Sequence, residues 1–529
     1  MNLEQITLSL GKAEVVVDKA FPRIILYKID GEEAFWGQKD FADEVKINQN
    51  GYHPVKVDVR VDETGQAIHY TLHLEKENQE GQSVPFVTLG VEIALTTDGH
   101  SKEAKYAHNM KPTDRHIVTY RVTDIQEFDA NEQVETIAFT NQALITLSGE
   151  KAGYGAVKAG SGQKGISDVF KTTAEIVEGE ENQYEVTYPL LYNERYAAAI
   201  SNNVITPIER IVVREDAAKK AFTFANGTFT YRYCVEPFEG HTETEPLPYA
   251  QIIIGGDENG DGLVDWQDAA ILFREIMPIP RGSENVKDQV VWIAMNFTSS
   301  TSNPFLRVLD NSKILSHYYD GFTQMVLNKG YQVEGHDDSH PDYTEVGIRQ
   351  GGAHDLNLLG EAGAAYHVKT GIHINAIEYM LDAVNTKLEN LKGGKLGELE
   401  HGWAWLDSAY LVDQMKDLES GELERRLEDL YQVVPTLSFI YVDVYYRSDY
   451  HSYKFAQFMN RHWDVATEFS GPFEGNQIFN HWGIDPYYPS SLGAKSTIYR
   501  FLYNGFKDSF NPDPLLKGLQ MPGVGTWQI

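Results

Sequence analysis

The segment that decides the fold is "LSFIYVDVYY", Leu437 to Tyr446, which is apolar enough to form a β-strand buried on both faces. It carries one acid, Asp443. The next strand candidate, "RHWDVATEFS", carries another acid, Glu468, and follows the helical stretch "SYKFAQFMNRHW". A buried strand, a helix and a second buried strand predict a βαβ unit with parallel strands.

The same alternation of apolar runs and helical stretches extends over residues 246–529. Four further strand candidates precede Leu437, namely "YAQIIIG", "QVVWIAMNF", "GYQVEGHDD" and "TGIHINAIE". The helical stretches among them include "DAAILFREIM" and "LLGEAGAAYHVKT". Repeated units of this kind favour a (β/α)₈ TIM-type barrel over an open sheet. Residues 246–529 are therefore predicted to form the barrel.

Residues 1–245 have a different pattern, in which short runs of alternating apolar and polar residues are broken by turns. Examples are "VKVDVRVDETGQAIHYTLHLE", "FVTLGVEIALTTDG" and "FTFANGTFTYRYCVE". Period-two runs at this spacing predict a large antiparallel β-sandwich. The chain is thus predicted to be an α+β multidomain protein, with a sandwich over residues 1–245 followed by the barrel.

The composition excludes some partners and favours others. A formal net charge of −32 on 529 residues argues against nucleic acid, whose phosphates would be repelled. Aromatic residues make up 12% of the chain, and their rings offer apolar faces on which a neutral sugar can stack. The single cysteine excludes an intrachain disulfide. The oligomeric state is not indicated.

The sequence gives no sign of a membrane partner or of a signal peptide. No apolar run approaches the roughly 18 residues that a membrane-spanning helix needs. The N-terminus, "MNLEQITLSL", lacks the basic start and continuous apolar stretch of a secretory signal. A cytoplasmic protein is expected if this N-terminus is natural, and a secreted or cell-surface protein if a leader has been removed.

In (β/α)₈ barrels the chemistry lies where strands end and βα loops begin. The polar residues predicted at those places are Asp257, Asp337, Asn375, Asp443 and Glu468. Asp443 and Glu468, the acids at the ends of neighbouring strands, would lie roughly 5 Å apart, which is the spacing of a retaining glycosidase. The alternative is that each acid caps a helix or pairs with an arginine.

Other side chains capable of binding a sugar surround these acids in the sequence. Asp337 and His340 lie in "EGHDDSH", and Trp482 lies in "NHWGID". Trp403 and Trp405 in "GWAWLD" project to the same side of an extended segment, which would give a wall of two rings. The alternative for each tryptophan is ordinary packing in the core.

The stretch "DENGDGLVDWQD" has the spacing of a calcium-binding loop. Its candidate ligands are Asp257, Asn259, Asp261, the Leu263 carbonyl and Asp268. The last position is Asp rather than a bidentate Glu, so weak affinity is expected. The alternative is a turn in which Asp265 or Asp268 caps the next helix. If calcium binds, we expect a structural brace beside the site, since two carboxylates suffice for glycosyl transfer and no cofactor is required.

Together these motifs resemble glycoside hydrolase family 101, the endo-α-N-acetylgalactosaminidases. The resemblance is carried by "DGLVDWQDAAILFREIM", "EGHDDSHPDY", "GIHINAIE", "GWAWLD", "FIYVDVYY", "ATEF", "FNHWGID" and "PLLKGLQM". It implies release of Galβ1-3GalNAc from Ser or Thr of O-glycans or glycopeptides, with retention. The preceding sandwich resembles the galactose-mutarotase-like domain that adjoins the barrel in that family.

The resemblance also implies roles for individual residues. Asp443 matches the nucleophile and Glu468 the general acid/base. The residues that match the sugar-binding groups are Asp337, His340 and Asn375, and those that match the aromatic walls are Trp403, Trp405 and Trp482.

Two segments near the acids depart from the family pattern. The segment "YYRSDYHSYK" after Asp443 lacks a Gly-rich stretch, and Phe469 follows Glu468 where the family usually has Trp. The segment "SGPFEGN" replaces a Gly/His-rich one. Two alternatives therefore stay open: an intracellular exo-acting α-N-acetylgalactosaminidase or other α-glycosidase on small fragments, and a noncatalytic carbohydrate-binding relative.

Overall fold

A computed structural model describes most of the chain, and the statements that follow concern the residues that it describes. These are residues 4–97, 116–129, 131–139, 141–159, 166–179, 182–233, 243–282, 289–297, 301–318, 320–403, 408–445, 450–468, 473, 475–480, 496–504 and 527–528. They form two compact units, one of residues 1–158 and 168–278 and the other of residues 159–167 and 279–529.

The first unit is built almost entirely from antiparallel strands. Its strands are β1 Gln5–Leu10, β2 Ala13–Asp18, β3 Ile24–Ile29, β4 Glu32–Trp36, β5 Val45–Ile47, β6 Asn50–Tyr52, β7 Lys56–Val61, β8 Ala67–Glu77, β9 Ser83–Thr96, β10 His116–Glu127, β11 Thr136–Ala138, β12 Ile145–Ser148, β13 Gly153–Ala159, β14 Ile166–Thr172, β15 Gln183–Val186, β16 Tyr188–Tyr192, β17 Ala197–Asn202, β18 Ile211–Asp216, β19 Ala221–Asn226, β20 Phe229–Thr230, β21 Arg232–Tyr233, β22 Glu243–Thr244 and β23 Tyr249–Gly255.

Two large sheets share one apolar core in this unit. The eight-stranded sheet has the order β1-β2-β3-β4-β12-β19-β18-β15, and the nine-stranded sheet has the order β14-β13-β16-β17-β23-β10-β9-β8-β7. Strand β8 illustrates how the strands contribute to this core. Its alternate residues Ile68, Tyr70, Leu72 and Leu74 are buried there, while the residues between them are more exposed. Period-two patterning places one face of each strand in the core, and the predicted antiparallel sandwich is confirmed.

Strand β23 corrects one part of the sequence prediction. The segment "YAQIIIG" is predicted to open the barrel, but it lies inside the nine-stranded sheet and pairs antiparallel with β10 and β17. It is apolar throughout because Ile252 and Ile254 face the sandwich core while helix α1, Trp266–Phe273, covers its other side. A short apolar run cannot by itself distinguish parallel from antiparallel pairing. The division between the two units lies at 278/279, later in the chain than the predicted change at 245/246.

The second unit contains a seven-stranded parallel sheet. The strands of this unit are β24 Gln289–Met295, β25 Thr323–Lys329, β26 Val368–Asn375, β27 Glu378–Met380, β28 Ala409–Leu411, β29 Phe439–Asp443, β30 Asp464–Thr467, β31 Phe479–Asn480 and β32 Trp527–Gln528. The sheet order is β31-β30-β29-β26-β25-β24-β32. The last strand of the chain thus pairs with the first strand of this sheet, as in a barrel, but the described residues do not show closure. The (β/α)₈ barrel therefore stays a prediction.

One strand of this sheet differs from the predicted one. The segment "GYQVEGHDD" is a loop, and the strand lies directly before it at Thr323–Lys329. The chain leaves the sheet at Gly330, which adopts a positive φ of 79° that favours glycine. The strand is hard to recognise in the sequence because its buried polar Gln324 interrupts the apolar run. That side chain is satisfied by the Trp292 indole and by the Ser312 carbonyl.

Helices and one antiparallel hairpin complete the second unit. The helices are α2 Phe305–Tyr318, α3 Gly352–Gly363, α4 Gln414–Glu419, α5 Glu422–Val433, α6 Tyr450–Asn460 and α7 Thr497–Asn504. Strands β27 and β28 pair antiparallel and are called the hairpin below. A buried ion pair, Arg426 Nη2 to Asp417 Oδ2 at 2.5 Å, fixes the hairpin through the Tyr379 hydroxyl, which donates to the same carboxylate at 2.7 Å. None of the described helices has the length and apolarity to cross a membrane.

Candidate active site

Asp443 is the buried last residue of β29, and Asn375 of β26 lies opposite it in the parallel register. Its Oδ2 atom lies 2.7 Å from His373 Nε2 and 3.0 Å from Lys329 Nζ. Its Oδ1 atom has no hydrogen-bond partner among the described residues. One carboxylate oxygen is therefore held by two donors while the other is left to meet a ligand.

The charge of Asp443 is fixed by these neighbours. Burial on its own raises the pKa of a carboxyl group, but the Lys329 ammonium and then His373 outweigh it. The pKa of Asp443 is consequently held well below its usual value. A carboxylate that stays ionised inside a protein, with one oxygen unpaired, is suited to nucleophilic attack.

Lys329 is a site residue that the sequence analysis missed. It is the last residue of β25, and its side chain is largely buried. Burial acts to lower the pKa of this lysine, but the charges of Asp443, Asp337 and Glu468 outweigh it and raise the pKa. The ammonium therefore stays charged between three carboxylates. A position at the end of a strand would have marked Lys329 as a candidate. The apolar pattern instead predicts that strand a few residues later in the chain, so Lys329 was not considered.

Glu468 directly follows β30, and its backbone N–H donates to the Val442 carbonyl at 3.0 Å. Its Oε2 atom accepts a hydrogen bond from the Val444 backbone N–H at 3.0 Å. Val444 adopts a φ of 42°, which is rare for a β-branched residue and is found mainly where the surroundings impose it. The turn after Asp443 thus directs a backbone donor at the second acid, and the two predicted acids lie at the same edge of the sheet.

Asp337 lies in the loop after β25, close to three histidines. Its Oδ2 atom is 3.1 Å from His336 Nε2, and its Oδ1 atom is 3.5 Å from His373 Nε2 and 3.7 Å from His340 Nε2. Burial raises the pKa of Asp337, but His373, His340 and His336 outweigh it and lower the pKa to about 2. The result is a buried anion beside Asp443, surrounded by ring nitrogens that can bind hydroxyl groups.

Two of these histidines are neutral. Burial lowers the pKa of His336 to about 2, and burial likewise lowers the pKa of His340. A neutral imidazole carries one N–H donor and one acceptor, so it can bind a sugar hydroxyl in either sense. His336 was not among the residues predicted from the sequence, whereas His340 was.

One ligand atom from each of His336, Asp337, His373 and Asp443 lies within 4.8 Å of the others, a spacing that a metal ion could use. However, Lys329 already supplies a positive charge to Asp443 at 3.0 Å. A second cation at the same carboxylate would be repelled by that ammonium. The cluster is better suited to hydroxyl groups than to a metal ion.

The Asn375 side chain forms most of its possible hydrogen bonds within the protein. Its Oδ1 atom accepts from the backbone N–H groups of Ile377 at 2.9 Å and Glu378 at 3.2 Å. Its Nδ2 atom donates to Glu378 Oε2 at 3.1 Å. Since a side-chain amide has two N–H donors, one of them is left for a ligand. The predicted sugar contact of Asn375 stays a prediction, limited to that donor.

Trp403 is the only one of the three predicted wall tryptophans whose structure is described, because Trp405 and Trp482 lie outside the described residues. It lies in the segment that joins the strands of the hairpin, and it is 54% exposed. Such exposure argues against the alternative of core packing. Its backbone N–H donates to Glu378 Oε1 at 3.0 Å. Glu378 is thus another residue beside the site, after Lys329 and His336, that was not predicted from the sequence.

The candidate calcium loop follows β23, so it belongs to the first unit and not to the parallel sheet. The expectation that it lies where the first barrel strand ends is therefore wrong. Asp257 accepts from Gly260 N at 2.7 Å and from Gly262 N at 2.9 Å. Asp261 Oδ1 accepts from Leu263 N at 2.9 Å, and Asn259 Oδ1 accepts from Asp261 N at 2.9 Å.

At the end of this loop, Asp265 and Asp268 form a capping box on α1, and Asp268 is fully buried. Asp268 Oδ1 accepts from the backbone N–H groups of Glu258 and Asn259 at 2.8 and 3.1 Å. These bonds support the turn-and-cap alternative, because Asp268 Oδ1 uses both of its lone pairs on them. Each carboxylate oxygen of Asp257 accepts one bond and keeps a lone pair for a cation. Calcium binding stays a prediction.

If calcium binds this loop, an excess of chelator should lower the melting temperature of the protein and added calcium should restore it. At a free concentration of about 100 times Kd, a bound ligand stabilises the folded state by about 2.7 kcal/mol. Differential scanning fluorimetry with and without EDTA measures the shift, and Asp257→Asn, which removes one negative charge from the candidate ligands, serves as the control. Identical melting curves in chelator and in calcium would leave only the turn.

Comparison with known proteins adds family information to this geometry. Residues 267–529 match the family model described as endo-alpha-N-acetylgalactosaminidase, and residues 8–266 match that of the galactose mutarotase-like fold domain. A curated protein of Renibacterium salmoninarum, named "Putative endo-alpha-N-acetylgalactosaminidase", is 29% identical over 96% of this chain. The chain spans about a third of that relative, 33% of its length. The resemblance inferred from the motifs is confirmed.

Solved structures support the fold alone. A GH36 α-galactosidase of Geobacillus stearothermophilus is 9% identical, with a TM-score of 0.51, over 90% of this chain and 74% of its own. The galactosidase domain of an α-galactosidase–sucrose kinase is 10% identical, with a TM-score of 0.52, over 90% of this chain and 73% of its own. At such identities they show a similar fold and carry no information on the substrate.

Proposed function

We propose, from the match of residues 267–529 to the endo-alpha-N-acetylgalactosaminidase family model, that this chain hydrolyses α-linked N-acetylgalactosamine with retention and releases Galβ1-3GalNAc from Ser or Thr of O-glycans. The observation that carries the proposal is the state of Asp443. One of its oxygens is fixed by His373 and Lys329, while the other, Oδ1, has no partner among the described residues.

In the first half of the reaction, Asp443 Oδ1 attacks the anomeric carbon from the β face of the α-linked sugar. The bond from that carbon to the leaving oxygen breaks, and its electron pair goes to that oxygen. Glu468 donates a proton to the same oxygen, so the aglycone leaves as a neutral hydroxyl compound. The product is a β-linked glycosyl ester on Asp443.

In the second half, Glu468, now ionised, takes a proton from a water molecule that attacks the anomeric carbon from the α face. The ester bond breaks and Asp443 leaves as a carboxylate, while Glu468 regains its proton. Two inversions give net retention. Lys329 and His373 support both steps, because they stabilise the carboxylate form of Asp443 before attack and after release.

The sugar pocket that we propose is made of groups around Asp443. The Asp337 carboxylate and the neutral rings of His336 and His340 can bind hydroxyl groups, and Asn375 can donate its remaining amide hydrogen. The exposed Trp403 ring offers an apolar face for the sugar ring. Trp405 and Trp482 extend this wall in the proposal. We also propose that the parallel sheet closes into a (β/α)₈ barrel around these groups. The position of β32 beside β24 supports this proposal.

Endo and exo action depend on what the site accepts beyond the first sugar. An enzyme that accepts only terminal N-acetylgalactosamine cleaves its aryl α-glycoside, whereas an endo-acting enzyme also cleaves the aryl glycoside of Galβ1-3GalNAc and releases the intact disaccharide. A noncatalytic relative cleaves neither compound. We propose endo action on the family match and the Renibacterium salmoninarum relative.

The decisive experiment supplies both aryl glycosides and records proton NMR on fresh product before mutarotation. We expect the disaccharide to be released and the α-anomer to form first, because the two inversions restore the original configuration. Initial β-anomer would contradict the double displacement. Release of monosaccharide alone would change the proposal to an exo-acting enzyme.

A further inference from the structure

Glu378 joins two groups of the proposed sugar pocket through its carboxylate. Its Oε2 atom accepts from Asn375 Nδ2 at 3.1 Å and its Oε1 atom accepts from the Trp403 backbone N–H at 3.0 Å. Asn375 ends a strand of the parallel sheet, whereas Trp403 lies in the segment between the strands of the hairpin. One carboxylate therefore connects the rigid sheet to the loop that carries the aromatic wall.

The contact between Glu378 and Asn375 is reciprocal. Asn375 Oδ1 accepts from the Glu378 backbone N–H at 3.2 Å, while Asn375 Nδ2 donates to the Glu378 carboxylate. This pair of bonds sets which way the amide faces, since the oxygen is turned toward the backbone and one N–H toward Glu378. The remaining N–H of Asn375 is directed by the same arrangement.

Gly402 makes room for the Glu378 carboxylate. A Cβ atom on Gly402 would lie 2.8 Å from Glu378 Cγ and 3.2 Å from Oε1. The first distance is shorter than non-bonded carbon atoms tolerate. The absence of a side chain at 402 thus lets Glu378 reach the next backbone N–H, that of Trp403. Two positions in separate parts of the chain are therefore matched to this one contact.

We propose that Glu378 is a positioning residue for substrate binding, which sets the height of Trp403 over the sugar pocket and the orientation of the Asn375 amide. This inference rests on the proposed function for its substrate, an α-linked N-acetylgalactosamine. Both groups that Glu378 holds belong to the proposed sugar pocket and take no part in bond making or breaking. Loss of the contact weakens the binding of ground state and transition state alike, so it raises KM and leaves kcat nearly unchanged.

The test compares Glu378→Gln and Gly402→Ala with the wild type. The amide introduced by Glu378→Gln keeps the shape of the side chain but replaces one acceptor with a donor, so it cannot serve both N–H groups. The methyl group introduced by Gly402→Ala pushes the intact carboxylate away. We expect each variant to raise KM for an aryl α-N-acetylgalactosaminide roughly tenfold, as loss of one charge-assisted hydrogen bond implies, with kcat within about twofold. Glu398→Gln, at an exposed glutamate of the same segment, is the matched control and should behave as wild type.

A second measurement follows Trp403 without turnover. The protein is labelled with 5-fluorotryptophan, and the Trp403 resonance is assigned by its loss in Trp403→Phe. Glu378→Gln and Gly402→Ala should shift that fluorine resonance, whereas Glu398→Gln should not. Wild-type KM and an unshifted resonance in a folded Glu378→Gln would overturn the inference, and so would a fall in kcat at unchanged KM. If the wild type cleaves no α-N-acetylgalactosaminide, the proposed function fails, while the fluorine spectra still decide whether Glu378 positions Trp403.

Discussion

Asp443→Asn is expected to lower kcat on an aryl α-N-acetylgalactosaminide by on the order of 10⁴-fold or more, the scale on which loss of a nucleophile acts. The amide has the shape of the carboxylate but cannot form the glycosyl ester. Its oxygen can still accept from His373 or Lys329, so the variant should bind the sugar. Steady-state kinetics with active-site concentration checked by ligand binding measures the effect.

The fold should survive this change. Removal of one partner from a buried ion pair costs about 3–5 kcal/mol when the other charge is left alone, but Asp337 and Glu468 remain near the Lys329 ammonium. Asp464→Asn is the matched control, because Asp464 is also buried on the parallel sheet, where it contacts Arg281 and Lys369. It should lose stability yet keep kcat per folded molecule. Near-normal kcat in Asp443→Asn would exclude this residue as the nucleophile.

Lys329→Met should have the second largest effect, a loss of kcat on the order of 10²–10³-fold, typical for removal of one preorganised electrostatic group. Met keeps much of the length and apolar character of the lysine side chain but removes the charge that lies 3.0 Å from Asp443. The carboxylate released when the glycosyl ester breaks would no longer be stabilised. Lys369→Met is the control, since Lys369 lies on β26 and contacts Asp464 at 3.6 Å.

The pH profile gives this variant a signature that a merely structural change lacks. In the wild type the Lys329 ammonium, followed by His373, keeps the pKa of Asp443 well below its usual value against the effect of burial. Asp443 is then ionised throughout the mildly acidic range. Without the ammonium its pKa rises, so the acid limb of kcat/KM should move to higher pH. An unmoved acid limb would mean that Lys329 does not control the charge of Asp443.

The ends of adjacent parallel strands could be predicted well from the sequence. Asp443 and Glu468 each follow an apolar run, and carboxyl ends of parallel strands meet at one edge of a sheet. The register confirms this arrangement for Asp443 and Asn375. The pattern was informative because these strands are apolar on both faces.

Lys329 escaped prediction because its strand is not uniformly apolar. The segment Thr323–Lys329 contains the buried polar residues Gln324 and Asn328, whose side chains form hydrogen bonds with other parts of the chain. Asn328 Nδ2, for example, donates to the Gly371 carbonyl at 3.0 Å. Such tertiary hydrogen bonds leave no periodic signal in a single sequence. Glu378 was not predicted because its hydrogen-bond partners, Asn375 and Trp403, lie in two separate segments and leave no local pattern in the sequence.

The hairpin is held by its own interactions and not by the two acids. The hydroxyl of Tyr379 and the amide of Asn390 bind the Asp417 carboxylate, which is paired with Arg426. Tyr379 also packs with Leu391 and Val412 in a small apolar cluster. The proposed reacting groups therefore lie at the ends of sheet strands, whereas Trp403 lies in a segment with its own stabilising contacts. Mutation and recombination can change that segment over generations while Asp443 and Glu468 are inherited intact. Under the proposed function, substrate choice is therefore easier to change in evolution than the hydrolytic reaction.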